Sequence, residues 1–210
     1  MKNILRKMKL RINRIGNEKR NSLVKNKDVT LISNNCWAGI TYEYLNLKFN
    51  SPTIGLYFMA DEYIEFLKNF DDCVNGEIRF ISYTESKYKD YLINEKLQNM
   101  VIGILSNDIE VFFLHYPNEN VARDKWVRRC KRINKNNMII KFNDQNAFTE
   151  KNLEEFENLK YKNKIIFTAH NYNTPSDIWL KKYDKYQYVL DDNYSYHKYF
   201  NIIDYINKIN

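Results

Sequence analysis

Three groups of residues have types and spacing that can do chemistry. The first is the turn Ser33-Asn34-Asn35-Cys36-Trp37 in "LISNNCWAGI", where a short apolar run ends and a helical pattern begins. In open α/β sheets, ligands collect at such strand-to-helix junctions. A thiol at a helix N-terminus feels the positive end of the peptide dipoles, which favours thiolate. Asn34 and Asn35 tolerate the backbone angles of a tight turn and can aim amide donors at an oxyanion. Cys36 is therefore a candidate nucleophile; the competing reading is a small apolar filler in the core.

The second group is "FFLHYPNENVARDKWVRRCKRIN", residues 112–134. His115 closes a strand pattern, where a neutral imidazole can act as general base near pH 7, or can be a satisfied core histidine. Pro117 stops the strand and a helix follows. Ala122, Trp126, Cys130 and Ile133 recur along it at the spacing of a buried stripe. Arg128 and Arg132 share one flank by i, i+4 spacing, with Arg129 one step round. Guanidinium pairs grip phosphate or carboxylate; the alternative is a solvated face on which Asp124 partners Arg128.

The third group is thinner. "NSPTIGLYF" places Ser51 and Thr53 before an expected strand, "TAHNYNTPSD" puts His170, Asn171, Asn173 and Asp177 in a loop, and "NDQNA" offers Asp144. No GxSxG, Walker loop or GxGxxG is present, so the sequence names no cofactor. An activated donor, either an acyl thioester or a nucleotide sugar, is compatible with it. Cys36, Cys73 and Cys130 are odd in number and far apart, without the CxxC or Cys/His spacing of a metal site. Reduced thiols and no export signal predict a cytoplasmic protein.

These residues need a scaffold. Expected strands are Val29–Ser33, Ile54–Phe58, Ile78–Tyr83, Val101–Leu105, Ile109–His115, Met138–Phe142, Ile165–Thr168 and Tyr186–Leu190. Expected helices are Ala38–Leu45, Asp61–Asn69, Glu119–Ile133, Glu150–Leu159 and Tyr199–Ile209, with Asp61 and Thr149 as caps. Alternation of the two predicts crossovers and a largely parallel sheet. "SND" between Val101–Leu105 and Ile109–His115 predicts an antiparallel hairpin. The fold class is α/β: one three-layer domain, residues 28–210, with a mixed, mostly parallel sheet.

Residues 1–27 form a separate basic arm. They hold ten Lys/Arg against one Glu, a net +9 within a chain of +7, which leaves residues 28–210 at −2. Nucleic-acid binding by the body is thereby disfavoured. Ile4, Met8, Ile12 and Ile15 fall at helical spacing among cations, the pattern of a helix lying on an anionic membrane surface; the alternative is a basic tail packed on the body. No apolar run reaches the length of a spanning helix.

"ISNNCWAG", "NSPTIGLYF", "IEVFFLHY" and "ARDKWVRRCKRIN" occur in the same order in a bacterial family catalogued as domain of unknown function nineteen-nineteen, which this chain resembles from Val29 to Thr168. Members of that family are often labelled exopolysaccharide biosynthesis proteins. Where the family pattern has Gly-Gly after Cys-Trp, this chain has Ala38-Gly39. The resemblance implies an α/β fold and a role in capsule or surface-glycan production, with Asn34, Asn35, Cys36, Trp37, His115, Trp126, Arg128, Arg129 and Arg132 on its motifs. Capsule O-acetyltransferases of a separate family also begin with a strand ending in Asn-Cys, a looser analogy.

The expectation is a transferase acting on a surface-glycan precursor at the inner membrane face, acyl transfer preferred. Cys36 and His115 would carry the reaction, Asn34 or Asn35 the oxyanion, and Trp37 a sugar ring. Arg128, Arg129 and Arg132 would hold an anionic glycan precursor or phosphorylated donor. The alternatives are glycosyl or phosphoryl transfer with a structural Cys36, or a non-catalytic module that binds glycan intermediates.

Overall fold

The computed structural model describes residues 8–9 and 11–209; the expected arm residue Ile4 lies outside them. The polypeptide builds two sheets. Strands β1 (Thr30–Ser33), β5 (Met138–Asn143), β6 (Lys164–Thr168) and β7 (Asp177–Trp179) make a parallel four-stranded sheet in the order β1-β5-β6-β7. Strands β2 (Arg79–Ile81), β3 (Val101–Ile104) and β4 (Glu110–Phe113) make a separate antiparallel sheet. The hairpin is where the "SND" turn predicts it, with Asn107 and Asp108 at φ 60° and 55°. It does not join the parallel sheet, so the single mixed sheet is corrected to two.

The helices are α1 (Asn17–Leu23), α2 (Trp37–Tyr44), α3 (Ala60–Lys68), α4 (Phe70–Asn75), α5 (Lys89–Asn94), α6 (Glu119–Cys130), α7 (Glu150–Asn158), α8 (Asp192–Ser195) and α9 (Ile202–Lys208). Side chains alternate across a strand, and the parallel sheet is apolar on both faces. Ile32, Ile140, Phe142 and Ile166 face one core with residues of α3, α4, α6 and α7. Leu31, Ile139, Ile165 and Phe167 face a second core with Trp37, Ala38 and Tyr42 of α2, Tyr196, and Ile202 and Ile206 of α9. Two cores on opposite faces of one sheet make the three layers.

Local chemistry explains the element ends. Thr149 caps α7 with a reciprocal box to Asn152, as its spacing predicts. Asp61 is not a cap: it lies inside α3 and accepts from Asn152 Nδ2 at 2.7 Å. Helix α9 starts at Ile202 rather than Tyr199, because Asn201 accepts from Ile203 N and Asp204 N. Tyr186–Leu190 is no strand; there Val189 N donates to Asp144 Oδ1. The fourth parallel strand is Asp177–Trp179, inside the stretch read as loop.

The expected strand Ile54–Phe58 is instead a strap. Gly55 takes φ 74°, a left-handed angle that breaks the extended run. Only Tyr57 pairs with a strand, through reciprocal 2.9 Å bonds with Phe112. This strap lies between the parallel sheet and the small antiparallel one, and it organises the site.

Candidate functional site

Beyond β1 the chain turns through Asn34 and Asn35 into Cys36, the residue that precedes α2. Ser33 Oγ accepts from Ala38 N at 3.2 Å and Asn35 Oδ1 from Trp37 N at 3.1 Å, so side chains of the turn already cap the first amides of α2. The Asn34 amide donates to Asn143 Oδ1 at 2.7 Å, and the Asn35 amide to the Asp192 carboxylate at 3.0 and 3.1 Å. Both asparagines are buried, with their donors engaged. The oxyanion role expected of them gives way to a structural one.

That role centres on Lys141. Its ammonium is fully buried on β5 and donates to Asp192 Oδ2 and, at 3.2 Å, to Asn35 Oδ1. Asn143 Nδ2 adds a bond to the same carboxylate at 2.9 Å. Burial pushes the Lys141 pKa down, and Asp192 opposes the shift. A buried lysine stays in place only when paired and hydrogen-bonded in this way. Neither Lys141 nor Asp192 carries a motif; the only sequence signal is a lone lysine in the otherwise apolar run "MIIKF".

Cys36 leaves this network and lines a cavity of about 440 Å³ with His115, Tyr116, Lys125 and Arg129. Phe49, Ile54 and Leu114 form apolar wall. Cys36 is partly exposed and His115 is exposed, so a ligand reaches both. The strap gathers them with consecutive carbonyls. Ile54 O accepts from Tyr116 Oη and, at 3.3 Å, from Arg129 Nη1; Gly55 O accepts from His115 N at 3.0 Å; the Cys36 thiol lies 4.0 Å from Leu56 O. Gly55 is tightly fitted here: a Cβ on it would meet Tyr116 Cε2 at 3.3 Å and His115 Cβ at 3.4 Å.

Of the three arginines, α6 turns Arg129 inward. It is 7% exposed, and its Nη1 donates to Tyr116 Oη and Ile54 O, both neutral. Among the described residues no carboxylate lies within 4.0 Å of it, and Nη2 and Nε make no protein hydrogen bond. A buried guanidinium with unused donors has the chemistry to accept an anionic group. Burial pushes the Tyr116 pKa up, while Arg129 opposes it. Arg128 is exposed outside the cavity, and Arg132 reaches only its rim, through Phe49 O at 3.3 Å.

Trp37 lies in the core against Phe167 and Tyr196 at ring distances of 5.9 and 5.5 Å, which removes it from sugar stacking. Trp126 is likewise core. His170 faces Asp184 at 3.8 Å, away from the cavity. Ser51 and Thr53 are buried and brace β1, Thr53 Oγ1 accepting from Ser33 N at 3.0 Å. Burial pushes the thiols of Cys73 and Cys130 up to about 12, holding them protonated. No cluster of three or more metal-ligating side chains occurs among the described residues.

A family model described as Domain of unknown function (DUF1919) matches residues 6–210. The match extends beyond the motif-bearing Val29–Thr168 to most of the arm and the whole C-terminal region. An uncharacterized protein of Haemophilus influenzae is 30% identical over 190 residues, covering 88% of this chain and 85% of that protein.

Proposed function

The chain belongs to the DUF1919 family, and from the contents of its cavity we propose that this protein is an acyltransferase acting on a surface-glycan precursor. The observation that carries the reading is the common cavity of Cys36, His115 and Arg129, three residues brought together by one strap. The Cys36 thiolate attacks the carbonyl carbon of an acyl thioester. The donor thiolate leaves and takes up a proton, and the acyl group stays on sulfur. His115 then removes the proton of an acceptor hydroxyl, whose oxygen attacks the acyl carbon and expels the Cys36 thiolate. Arg129, with Lys125 beside it, binds an anionic group of donor or acceptor and adds positive charge where the oxyanion develops. The setting in capsule or exopolysaccharide assembly, at the inner membrane face, is part of this proposal.

Intact-mass analysis after incubation with a short-chain acyl thioester tests it. The expected result is one acyl adduct, absent in Cys36→Ala and persistent in His115→Gln when acceptor is added. An unmodified wild-type chain, with glycan acylation unchanged by Cys36→Ala in cells, overturns the covalent route.

One observation favours a second reading. A buried Arg129 without a carboxylate suits a phosphate equally well, which fits glycosyl or phosphoryl transfer, or simple binding of a phosphorylated glycan, with Cys36 as wall. In that case phosphate binding disappears in Arg129→Met and survives in Cys36→Ala.

A further inference from the structure

The arm packs inside out. Residues 11–14 are helical, Gly16 at φ 75° breaks the helix, and α1 follows. Met8, Ile12 and Ile15 lie at i, i+4 and i+7, the spacing of one helical stripe, and are 54%, 64% and 72% exposed. Among the described residues of this first stretch, polar side chains make the docking contacts, and the arm's apolar anchor, Val24, comes only after α1. Asn13 is buried and donates to Ile40 O at 3.1 Å; Arg14 pairs with Glu43 at 3.0 Å; Lys9 pairs with Asp191 at 2.8 Å. A surface helix ordinarily turns its apolar stripe to the body and its charges to water. Three large apolar side chains held outward by polar anchors make a surface built to be covered.

Charge indicates what covers it. Arg11, next to Ile12 in the chain, and Lys19 on α1 are exposed, and the arm as a whole carries +9. Apolar insertion flanked by cations fits the interface of an anionic bilayer, where acyl boundary and headgroups are met together. Position adds a third element. The arm's contacts Ile40 and Glu43, together with Tyr194, whose ring lies 5.4 Å from Lys9 Nζ, all line the Cys36 cavity.

We propose that Met8, Ile12 and Ile15 dock this protein on an anionic bilayer by entering its interface, so that the Cys36 cavity opens beside the headgroups and draws a lipid-borne phosphorylated substrate. The docking stands on the arm alone; the lipid-borne substrate rests on the transfer reading above.

Vesicle flotation of the full chain tests this, with phosphatidylcholine alone and with phosphatidylcholine mixed with phosphatidylglycerol. Binding to the mixed vesicles and not to neutral ones is expected. It should weaken by about tenfold or more in Ile12→Asp/Ile15→Asp, where two stripe residues become charged. It should persist in Ile93→Asp, an exposed apolar site on α5. Both variants change exposed side chains, and circular dichroism confirms that each is folded. No binding to mixed vesicles, or equal binding by the stripe variant, overturns docking. A stripe-dependent dimer that does not float also overturns it, in favour of a second copy of the chain. The Cys36 adduct from a water-soluble thioester, measured in the same samples, separates the two claims. Adduct without flotation removes docking alone; flotation without adduct removes the transfer reading alone.

Discussion

Two polar clusters sit within three residues of each other along the turn after β1, and they are finished differently. The Lys141–Asp192–Asn35–Asn143 cluster is sealed, and its charges answer one another. The cluster at Cys36 is open, and its buried cation, Arg129, has only neutral partners among the described residues. Polar groups that close on themselves fix geometry; polar groups left incomplete leave chemistry for a ligand. One turn serves both ends, with asparagines facing inward to the lock and the thiol facing outward to the cavity.

The sharpest way to break the contrast is to open the lock. Lys141→Met strands the buried Asp192 carboxylate and should cost about 3–5 kcal/mol in urea denaturation. Adding Asp192→Asn should restore part of that, whereas unchanged stability in the single variant would show that the pair does not hold the turn.

Asp144 gives a pH test next to the lock. Burial raises its pKa from 3.8 to about 6, against opposing hydrogen bonds from Val189 N and Ala169 N. The folded chain therefore holds this proton more tightly than the unfolded one, and stability falls as pH rises from about 4 to about 6. Asp144→Asn should remove up to about 3 kcal/mol of that decline; parallel stability-versus-pH curves for both proteins would refute the assignment.

Gly55→Ala probes the cavity side. A Cβ at φ 74° is strained and crowds His115 and Tyr116, so a loss of about 1–2 kcal/mol is expected. Transfer activity should drop further than stability, since the imidazole shifts. Least change is expected from Cys36→Ser: melting within about 1 kcal/mol of wild type, yet no acyl adduct. A large stability loss there would mean that Cys36 belongs to the core after all.

Much of the scaffold was legible in the sequence, because strand and helix periods and the Thr149 cap are local signals. Cys36 and His115 were each legible as candidates from their place near a strand end, but that they share a cavity was not, because no local signal links positions so far apart in the chain. The inward arginine was not: helical spacing groups Arg128 with Arg132, and only the packing of Trp126 and Ala122 determines that Arg129 is the one buried. Lys141 and Asp192 are 51 residues apart, and no periodicity links them. The strap escaped for a related reason. "TIGLYF" has the composition of a strand, but a single left-handed glycine decides its path.

That strap also carries a mechanical consequence. Its Tyr57 is stitched to Phe112 of the small antiparallel sheet, while the preceding carbonyls hold arginine, histidine and cysteine one after another. The thiol, the histidine backbone and the guanidinium are thus tied to one short strap anchored in a second sheet. A substitution or docked macromolecule that displaces that sheet would reach Cys36, His115 and Arg129 through the same three carbonyls.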